Sequence, residues 1–372
     1  MSNKIHKIGI IGAGMIAQFH AEAIKAMPNA ELVAVYNRNL EKATAFAEQH
    51  QCQAYNDLDT FLANDDMQVV TICTPSGAHL DPGLAAAKAG KHIIVEKPIE
   101  VTTDKTDALI QACNDQGVQL IGILPRRFNQ STQILKDAVD NGRFGQITLA
   151  EASIKWFRTQ EYYDSGAWRG TWALDGGGAL MNQSIHTVDL LLHVMGNVTR
   201  VCAFAGLEGH KDIEVEDVLV AILQFENGAR GVIQASTTCY SETGHPAQVQ
   251  ICGMQGSAFM VDDKFSVWDF QDKQDNDGEI LKTYGVNASA KGAGAADPKA
   301  IDFSWHQRNF EEALAAIDEN RPSIVDGQEG RKAIELIGAI YQSAANGGQP
   351  VSLPLQSWPQ AEQLTQAFTG KS

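Results

Sequence analysis

The chain has 372 residues, with 29 Lys or Arg against 45 Asp or Glu, a formal net charge of −16. That length suggests about two domains, each with a core large enough to fold without disulfides or structural metals. So acidic a chain lacks the clustered cations that a phosphate backbone requires and is repelled by anionic bilayers, which argues against nucleic-acid and membrane partners. The hydrophobic share of 44% and charged share of 20% exclude wholesale disorder.

The first 124 residues alternate short apolar runs with helical patterns. KIGIIGAG (7–14) is a run expected for a strand buried on both faces, and Ile16, Phe19, Ala23, Ile24 and Met27 follow it at helical spacing. ELVAVYN, VVTICTP, HIIVEKP and VQLIGIL are further strands, separated by the helical EKATAFAEQH, LDPGLAAAKAG and TDALIQACNDQG. Such alternation predicts right-handed βαβ units in a parallel sheet, a first domain of Rossmann type over 1–124.

From residue 125 the pattern changes. ITLAEASIKWF, RVCAFAGL, DVLVAILQFENGARGVIQAST, AQVQICGM, SAFMVDD and FSVWDF follow one another as strands, with an Asn-Gly hairpin signal at Asn227-Gly228. This predicts an open, mostly antiparallel sheet in an α/β domain over 125–372, which binds substrate and self-associates. Helical segments near 130–140 and 182–195 are available to cover one sheet face. Residues 271–300 are polar and Gly/Ala-rich and are expected to form a long loop. Two late helices are marked by Phe310, Ala313, Leu314 and Ile317 and by Ala333, Ile334, Ile337 and Ile340, and they are candidates to pack back on the first domain. The six cysteines lie far apart with no C-x-x-C pair, the N-terminus shows no signal-peptide pattern, and no apolar run approaches about 20 residues. A reduced, cytoplasmic protein is expected.

Gly12-Ala13-Gly14-Met15-Ile16-Ala17 fits G-x-G-x-x-A at the first strand–helix junction. Gly12 permits the tight turn, Gly14 lets a pyrophosphate approach the backbone, and Ala17 lets the helix lie close to the strand. The helix N-terminus, with Met15 and Ile16 in its first turn, then faces the phosphates. The second strand ends in Asn37 and Arg38, where an acid would grip the adenosine ribose. An absent carboxylate removes repulsion against a 2′-phosphate and Arg38 offers it a partner, which leans the expectation toward NADP over NAD. The alternative is that Arg38 is solvated and Asn37 bonds the ribose hydroxyls.

HIIVEKP sets Glu96, Lys97 and Pro98 at the carboxyl end of a parallel strand, where ligands bind in open α/β sheets. Pro98 restricts the residue before it, so Lys97 is held in one pose, suited to taking and returning a hydroxyl proton. The alternative is a solvated lysine paired with Glu96. Farther on, Gly176-Gly177-Gly178 precede a segment, Met181 to Met195, that reads as a helix. Asn182, His186, Asp189 and His193 fall on one polar stripe of it. His186 is the candidate acid/base or orienting group, and Asn182 and Asp189 are candidate substrate contacts. No fourth ligand accompanies His186, Asp189 and His193, so no metal is expected. Three of the six tryptophans, Trp156, Trp168 and Trp172, fall in one short span with Arg158, Tyr162, Tyr163 and Arg169. Aromatic faces suit the C–H face of a sugar, and the arginines suit a carboxylate or several hydroxyls. Arg126, Arg127 and Asn129 after the last Rossmann strand, and His306 at the start of a late helix, are weaker candidates for the same pocket.

Together, GAGMIAQFH, CTPSGAH, VEKP, the G-G-G…His186…Asp189 run and EGRKAIELIGAIYQSA resemble the Gfo/Idh/MocA oxidoreductase family over essentially the whole chain. The resemblance implies a Rossmann domain followed by an α/β domain, and oxidation or reduction of a hydroxyl or carbonyl carbon of sugars and cyclitols with NAD or NADP. It implies that Lys97 is the proton-transfer residue of the E-K-P segment, that His186 is the active-site histidine, and that Thr74, Pro75 and His79 lie along the nicotinamide side of the cofactor. The WRGTW and following G-G-G run is similar to one branch of the family. Many members carry Asp four residues before the histidine; this chain has Asn182, which shifts the proton work onto Lys97 and His186. The expected activity is hydride transfer to or from a secondary alcohol carbon of a sugar, sugar acid or cyclitol, in a homodimer or homotetramer. The rivals are redox-neutral glycoside cleavage with bound NAD, which some relatives perform, and a non-catalytic sugar or nucleotide sensor.

Overall fold

The computed structural model describes residues 4–287 and 303–370. Its contacts divide the chain into two compact units, Met1–Pro125 with Phe303–Arg331 and Arg126–Asp302 with Lys332–Ser372.

The first unit holds a six-stranded sheet: β1 (His6–Ile11), β2 (Ala30–Tyr36), β3 (Gln53–Tyr55), β4 (Val69–Ile72), β5 (His92–Val95) and β6 (Leu120–Gly122). All neighbours pair in parallel, in the order β3-β2-β1-β4-β5-β6. The central strands are buried on both faces, which is why they read as continuous apolar runs. This is the doubly wound Rossmann order, in which the order of strand addition reverses between β1 and β4. The three residues of β3 and the helix Leu58–Leu62 after it are too short to leave a periodic signal. The late helix Ser304–Asp318 lies in this unit and buries Phe310, Ala313 and Leu314 against Ala17, Ala21 and Ile24 of the helix Met15–Ala26. The chain therefore returns to the first unit at Phe303 and leaves it again after Arg331, so a single boundary at residue 124 does not separate the units.

The second unit holds β7 (Ile147–Lys155), β8 (Val198–Gly206), β9 (Val218–Phe225), β10 (Arg230–Ser236), β11 (Gln248–Gly253), β12 (Gly256–Val261), β13 (Lys264–Phe270) and β14 (Val351–Ser352). Their order is β13-β12-β11-β7-β10-β9-β8-β14, antiparallel except for β10 beside β7. On β9, Leu219, Ala221, Leu223 and Phe225 are buried while Val220 and Ile222 face out, the alternation of a sheet covered on one side. The helix Ser184–Met195 covers β7 and β11 on the buried side. On the open side Phe204 (69% exposed) pairs with Val220, and Ile222 (58% exposed) sits between Cys202 and Val232.

Two expectations are corrected here. Within 271–300, Asp277–Tyr284 is a helix, because Asp277 accepts hydrogen bonds from Arg143 (2.9 Å) and Trp268 Nε1 (2.7 Å) and ties that stretch to the sheet; residues 288–302 lie outside the described residues. The segment expected as a helix from Met181 begins instead with a π turn, Ala179–Gln183, and becomes α-helical at Ser184. Asn182 thus stands one step out of phase with His186 and Asp189. Among the described residues no helix is long and apolar enough to cross a membrane, and all six cysteines are free thiols.

Candidate active site

A helix leaves its first backbone N–H groups without partners. At the helix Met15–Ala26 the N-cap is Gly14, which supplies no side-chain cap, and a Cβ there would meet nothing within 4 Å. Gly12 adopts φ 101°, and a Cβ on it would come within 2.9 Å of the Cys73 carbonyl. Bare donors, open space over Gly14 and a backbone only glycine tolerates at Gly12 fit a dinucleotide pyrophosphate. Ala17 is buried against the sheet, whereas Met15 stands half exposed beside the turn. Asn37 Oδ1 accepts a hydrogen bond from Asn39 N (2.9 Å), and Asn39 caps the next helix, so the Asn37 oxygen is already occupied. Arg38 is exposed, with no ion pair among the described residues. Thr74 Oγ1 donates to Ala78 O (2.9 Å), closing the loop that Pro75 begins. His79 is fully buried, with Nδ1 2.9 Å from Pro98 O and Nε2 3.0 Å from Thr74 O. Its ring is occupied by backbone carbonyls, so it braces the loop against the segment after Lys97 and is not itself a ligand group.

Lys97 is half-buried just beyond the carboxyl end of β5. Glu96 beside it is buried, and its two oxygens work in opposite directions. Oε2 accepts from Lys97 N (3.0 Å), and Oε1 accepts from His20 Nε2 (2.8 Å) with His306 Nε2 at 3.7 Å. Burial alone would raise the Glu96 carboxyl, but the hydrogen bond from His20 and the nearby His306 ring outweigh it and hold it well below the usual carboxylate range. Burial pushes His20 down, so this ring is a neutral imidazole that donates from Nε2. Its Nδ1 then accepts from Thr71 Oγ1 (2.8 Å), with Cys73 Sγ at 3.3 Å. His306 is thereby moved from the sugar pocket expected for it to this buried network of the first unit, where its ring lies 5.7 Å from that of His20. The three donor atoms lie within 4.8 Å of one another, and the His20–Glu96 hydrogen bond already occupies that space.

In the second unit the turn before His186 is clamped by residues the sequence did not flag. Glu216 Oε1 accepts from Leu180 N (2.7 Å) and Tyr341 Oη (3.0 Å), and Oε2 accepts from Gly178 N (3.1 Å). A Cβ on Gly178 would collide with the Glu216 carbonyl, so the glycine is required for this close approach. Burial raises the Glu216 carboxyl to about 7 despite these donors. Asp175 accepts from Gly170 N (2.8 Å) and from the Asn182 amide, and Gln183 Nε2 donates to Asn182 Oδ1 (2.6 Å). The outcome is a rigid turn with Asn182, Gln183 and the half-buried His186 along it.

The polar stripe beyond His186 is directed elsewhere. Asp189 is buried in a two-point pair with Arg127, Nε to Oδ2 2.9 Å and Nη2 to Oδ1 2.6 Å. Arg126 binds Asp263 and Thr187, and Asn129 caps the helix Gln130–Asp140. These residues, expected near a substrate, hold the second unit together. Trp172 is buried too: its ring meets Tyr341 and Phe368, and its Nε1 donates to Thr365 (2.9 Å). Tyr163 is buried against Tyr162 and His210, its hydroxyl 3.0 Å from Thr237 Oγ1, and burial raises its phenol. Trp156, Arg158, Tyr162, Trp168 and Arg169 remain half-buried as one stacked cluster. The Arg158 guanidinium lies 5.1 Å from the Trp156 ring, and that of Arg169 lies 4.2 Å from Tyr162 and 4.5 Å from Trp168.

The sequence reading missed His20, Thr71, Asp175, Glu216 and Tyr341. An acid inside the apolar approach to β9 was the one available signal, for Glu216. The others depend on partners far away in the chain.

Comparison with known proteins places this architecture. Residues 6–122 match the family model described as an oxidoreductase family with an NAD-binding Rossmann fold, and 132–259 match the GFO/IDH/MocA C-terminal domain. The chain is 31% identical over 255 residues to the uncharacterized oxidoreductase YrbE of Bacillus subtilis (strain 168), covering 67% of this chain and 72% of that one. It is 25% identical over 353 residues to inositol 2-dehydrogenase of Rhizobium meliloti (strain 1021), covering 92% and 98%. Its fold superposes with a TM-score of 0.85 on the WlbA dehydrogenase of Bordetella pertussis, solved with NADH and UDP-GlcNAcA, at 29% identity over 96% of this chain and all of that one. The Gly12–Gly14 cradle, the Lys97 strand end and both matched domains establish the protein as an NAD(P)-dependent member of the Gfo/Idh/MocA oxidoreductase family.

Proposed function

We propose that the protein is a dehydrogenase or reductase acting on a secondary alcohol carbon of a sugar, sugar acid or cyclitol. The carrying observation is Lys97, set just beyond the carboxyl end of β5 in a sheet with a pyrophosphate cradle, its backbone N–H fixed by a carboxylate that is itself locked by His20. The dehydrogenase names of full-length relatives, acting on inositol and D-glucoside, support the carbohydrate class. Bound NAD(P) supplies the hydride acceptor or donor. Gly12, Gly14, Met15 and Ile16 hold its phosphates. In oxidation, Lys97 takes the hydroxyl proton; in reduction it returns a proton to the carbonyl oxygen. In the second unit, His186 and Asn182 are the groups assigned to hydrogen-bond substrate hydroxyls.

Replacing Lys97 with Met is expected to leave cofactor binding intact while single-turnover hydride transfer from members of a polyol panel to NAD(P)+ falls by about 10²–10⁴-fold. Near-normal turnover would refute the role. The exposed Arg38, with no acid at position 37, supports a lean toward NADP, which steady-state kinetics with both cofactors would reverse if NAD were strongly preferred. The apolar open side of the second sheet supports pairing of two copies, and Ile222→Lys is expected to sediment as a monomer where the parent sediments as a larger species. Free thiols throughout support work in the reducing cytoplasm.

A further inference from the structure

The arginines of the second unit fall into three groups. Arg126, Arg127 and Arg143 each reach a carboxylate, on Asp263, Asp189 and Asp277. Arg200 and Arg230 are exposed to solvent. Arg158 and Arg169 belong to neither group. Both are half-buried, and among the described residues neither has a carboxylate within ion-pair distance, in a chain with 45 acidic residues.

The two guanidiniums share one ring. Arg158 lies 5.5 Å and Arg169 4.2 Å from the Tyr162 centroid, with Trp156 against the first and Trp168 against the second. Stacking fixes their planes without using their N–H groups. The hydrogen bonds are few: Arg158 Nε to Gln183 Oε1 (3.1 Å) and Nη1 to Phe157 O (3.2 Å), and Arg169 Nη1 to Tyr162 Oη (2.5 Å). Each guanidinium carries five donors, so most of both forks is unspent. Trp156 adds a buried Nε1–H with no acceptor among the described residues. Burial pushes the Arg158 guanidinium below its ordinary value, and the like charge of Arg169 pushes the same way. A structural role would recruit a carboxylate, as the three paired arginines do. Two pre-oriented cations with open donors are instead a receptor for anionic oxygens.

We infer that Arg158 and Arg169 form an anion subsite for a carboxylate or phosphoryl group on the substrate, so that the preferred substrates are anionic sugars. This rests on the proposed action on sugars. Gln183 links the subsite to the clamped turn: it accepts from Arg158 and donates to Tyr162 Oη (2.9 Å) and to Asn182 Oδ1 (2.6 Å). The anionic end of the substrate is therefore held beside Asn182, one turn of chain before His186.

The test is calorimetric titration of NADH-saturated protein with a panel of uronates, sugar 1-phosphates and their neutral parent sugars. At least one anion is expected to bind about tenfold or more tighter than its neutral parent, with the advantage shrinking in high salt. Uronate preference identifies a carboxylate subsite and phosphate preference a phosphoryl subsite. Arg158→Gln and Arg169→Gln should each collapse the anion-to-neutral ratio toward one, and Arg158→Lys should restore part of it, since Lys keeps the charge without the fork. Near-ultraviolet circular dichroism and NADH affinity check that the variants are folded. No anion binding more tightly than its parent, or a ratio unchanged in both Gln variants, overturns the subsite. Hydride transfer from the same panel to NAD(P)+ separates the two claims: anion selectivity without turnover of any member removes the sugar-oxidoreductase reading and leaves the subsite, whereas turnover without anion preference does the reverse.

Discussion

Each unit holds a charged cluster, and the two clusters are treated in opposite ways. In the first, Glu96 is enclosed by His20, His306 and the Lys97 N–H, with Oε1 accepting from His20 Nε2 and Oε2 from Lys97 N. In the second, Arg158 and Arg169 are stacked, half-buried and without a carboxylate among the described residues. Taking a charge out of water costs several kcal/mol unless a partner offsets it. A satisfied network can therefore only position what lies next to it, here the backbone of Lys97. A charged cluster lacking its counter-ion is poised to gain one.

The contrast is sharpest within the second unit, which contains arginines of both kinds. The largest effect is expected at a paired one. Asp189→Asn strands the buried Arg127 charge and should cost about 3–5 kcal/mol in urea unfolding; a loss below about 1 kcal/mol would mean that pairing does not mark structural arginines. Next comes Glu216, whose carboxyl is raised by burial from 4.5 to about 7 in the folded protein. Because the folded state holds a proton that the unfolded chain releases, this contribution is full below about pH 4.5 and is lost as pH rises through 7, about 3 kcal/mol in all. Glu216→Gln should flatten that part of the stability-versus-pH curve between pH 5 and 8, and an unaltered slope would assign it to other groups. The smallest effect is expected at an unpaired arginine. Arg169→Gln should change stability by less than about 1 kcal/mol, because no carboxylate is left behind; a loss comparable with that of Asp189→Asn would make Arg169 a structural residue and erase the contrast.

The readable features were local ones. The cradle could be found because a tight turn, a close phosphate approach and a close helix each demand a small residue within six positions, from Gly12 to Ala17. Lys97 could be found because an apolar strand run ends where polar residues begin, and parallel sheets present that end to ligands. Trp172 and Tyr163 were misassigned for the complementary reason. Irregular segments have no period from which to tell inward from outward, so an aromatic residue there reads the same whether it meets a sugar or Phe368. The phase of Asn182 was missed because a π turn and an α turn share the same apolar spacing over five residues.

The amino-acid order alone thus determined the two architectures, the dinucleotide turn and the strand end that presents Lys97, since each follows from contacts between residues near in the chain. Only the tertiary structure decided that His20 and His306 meet on Glu96, that Asp189 is taken by Arg127, and that Arg158 and Arg169 are left without a carboxylate. Charge pairing depends on distances in space, and these partners are separated by tens to hundreds of residues of intervening chain.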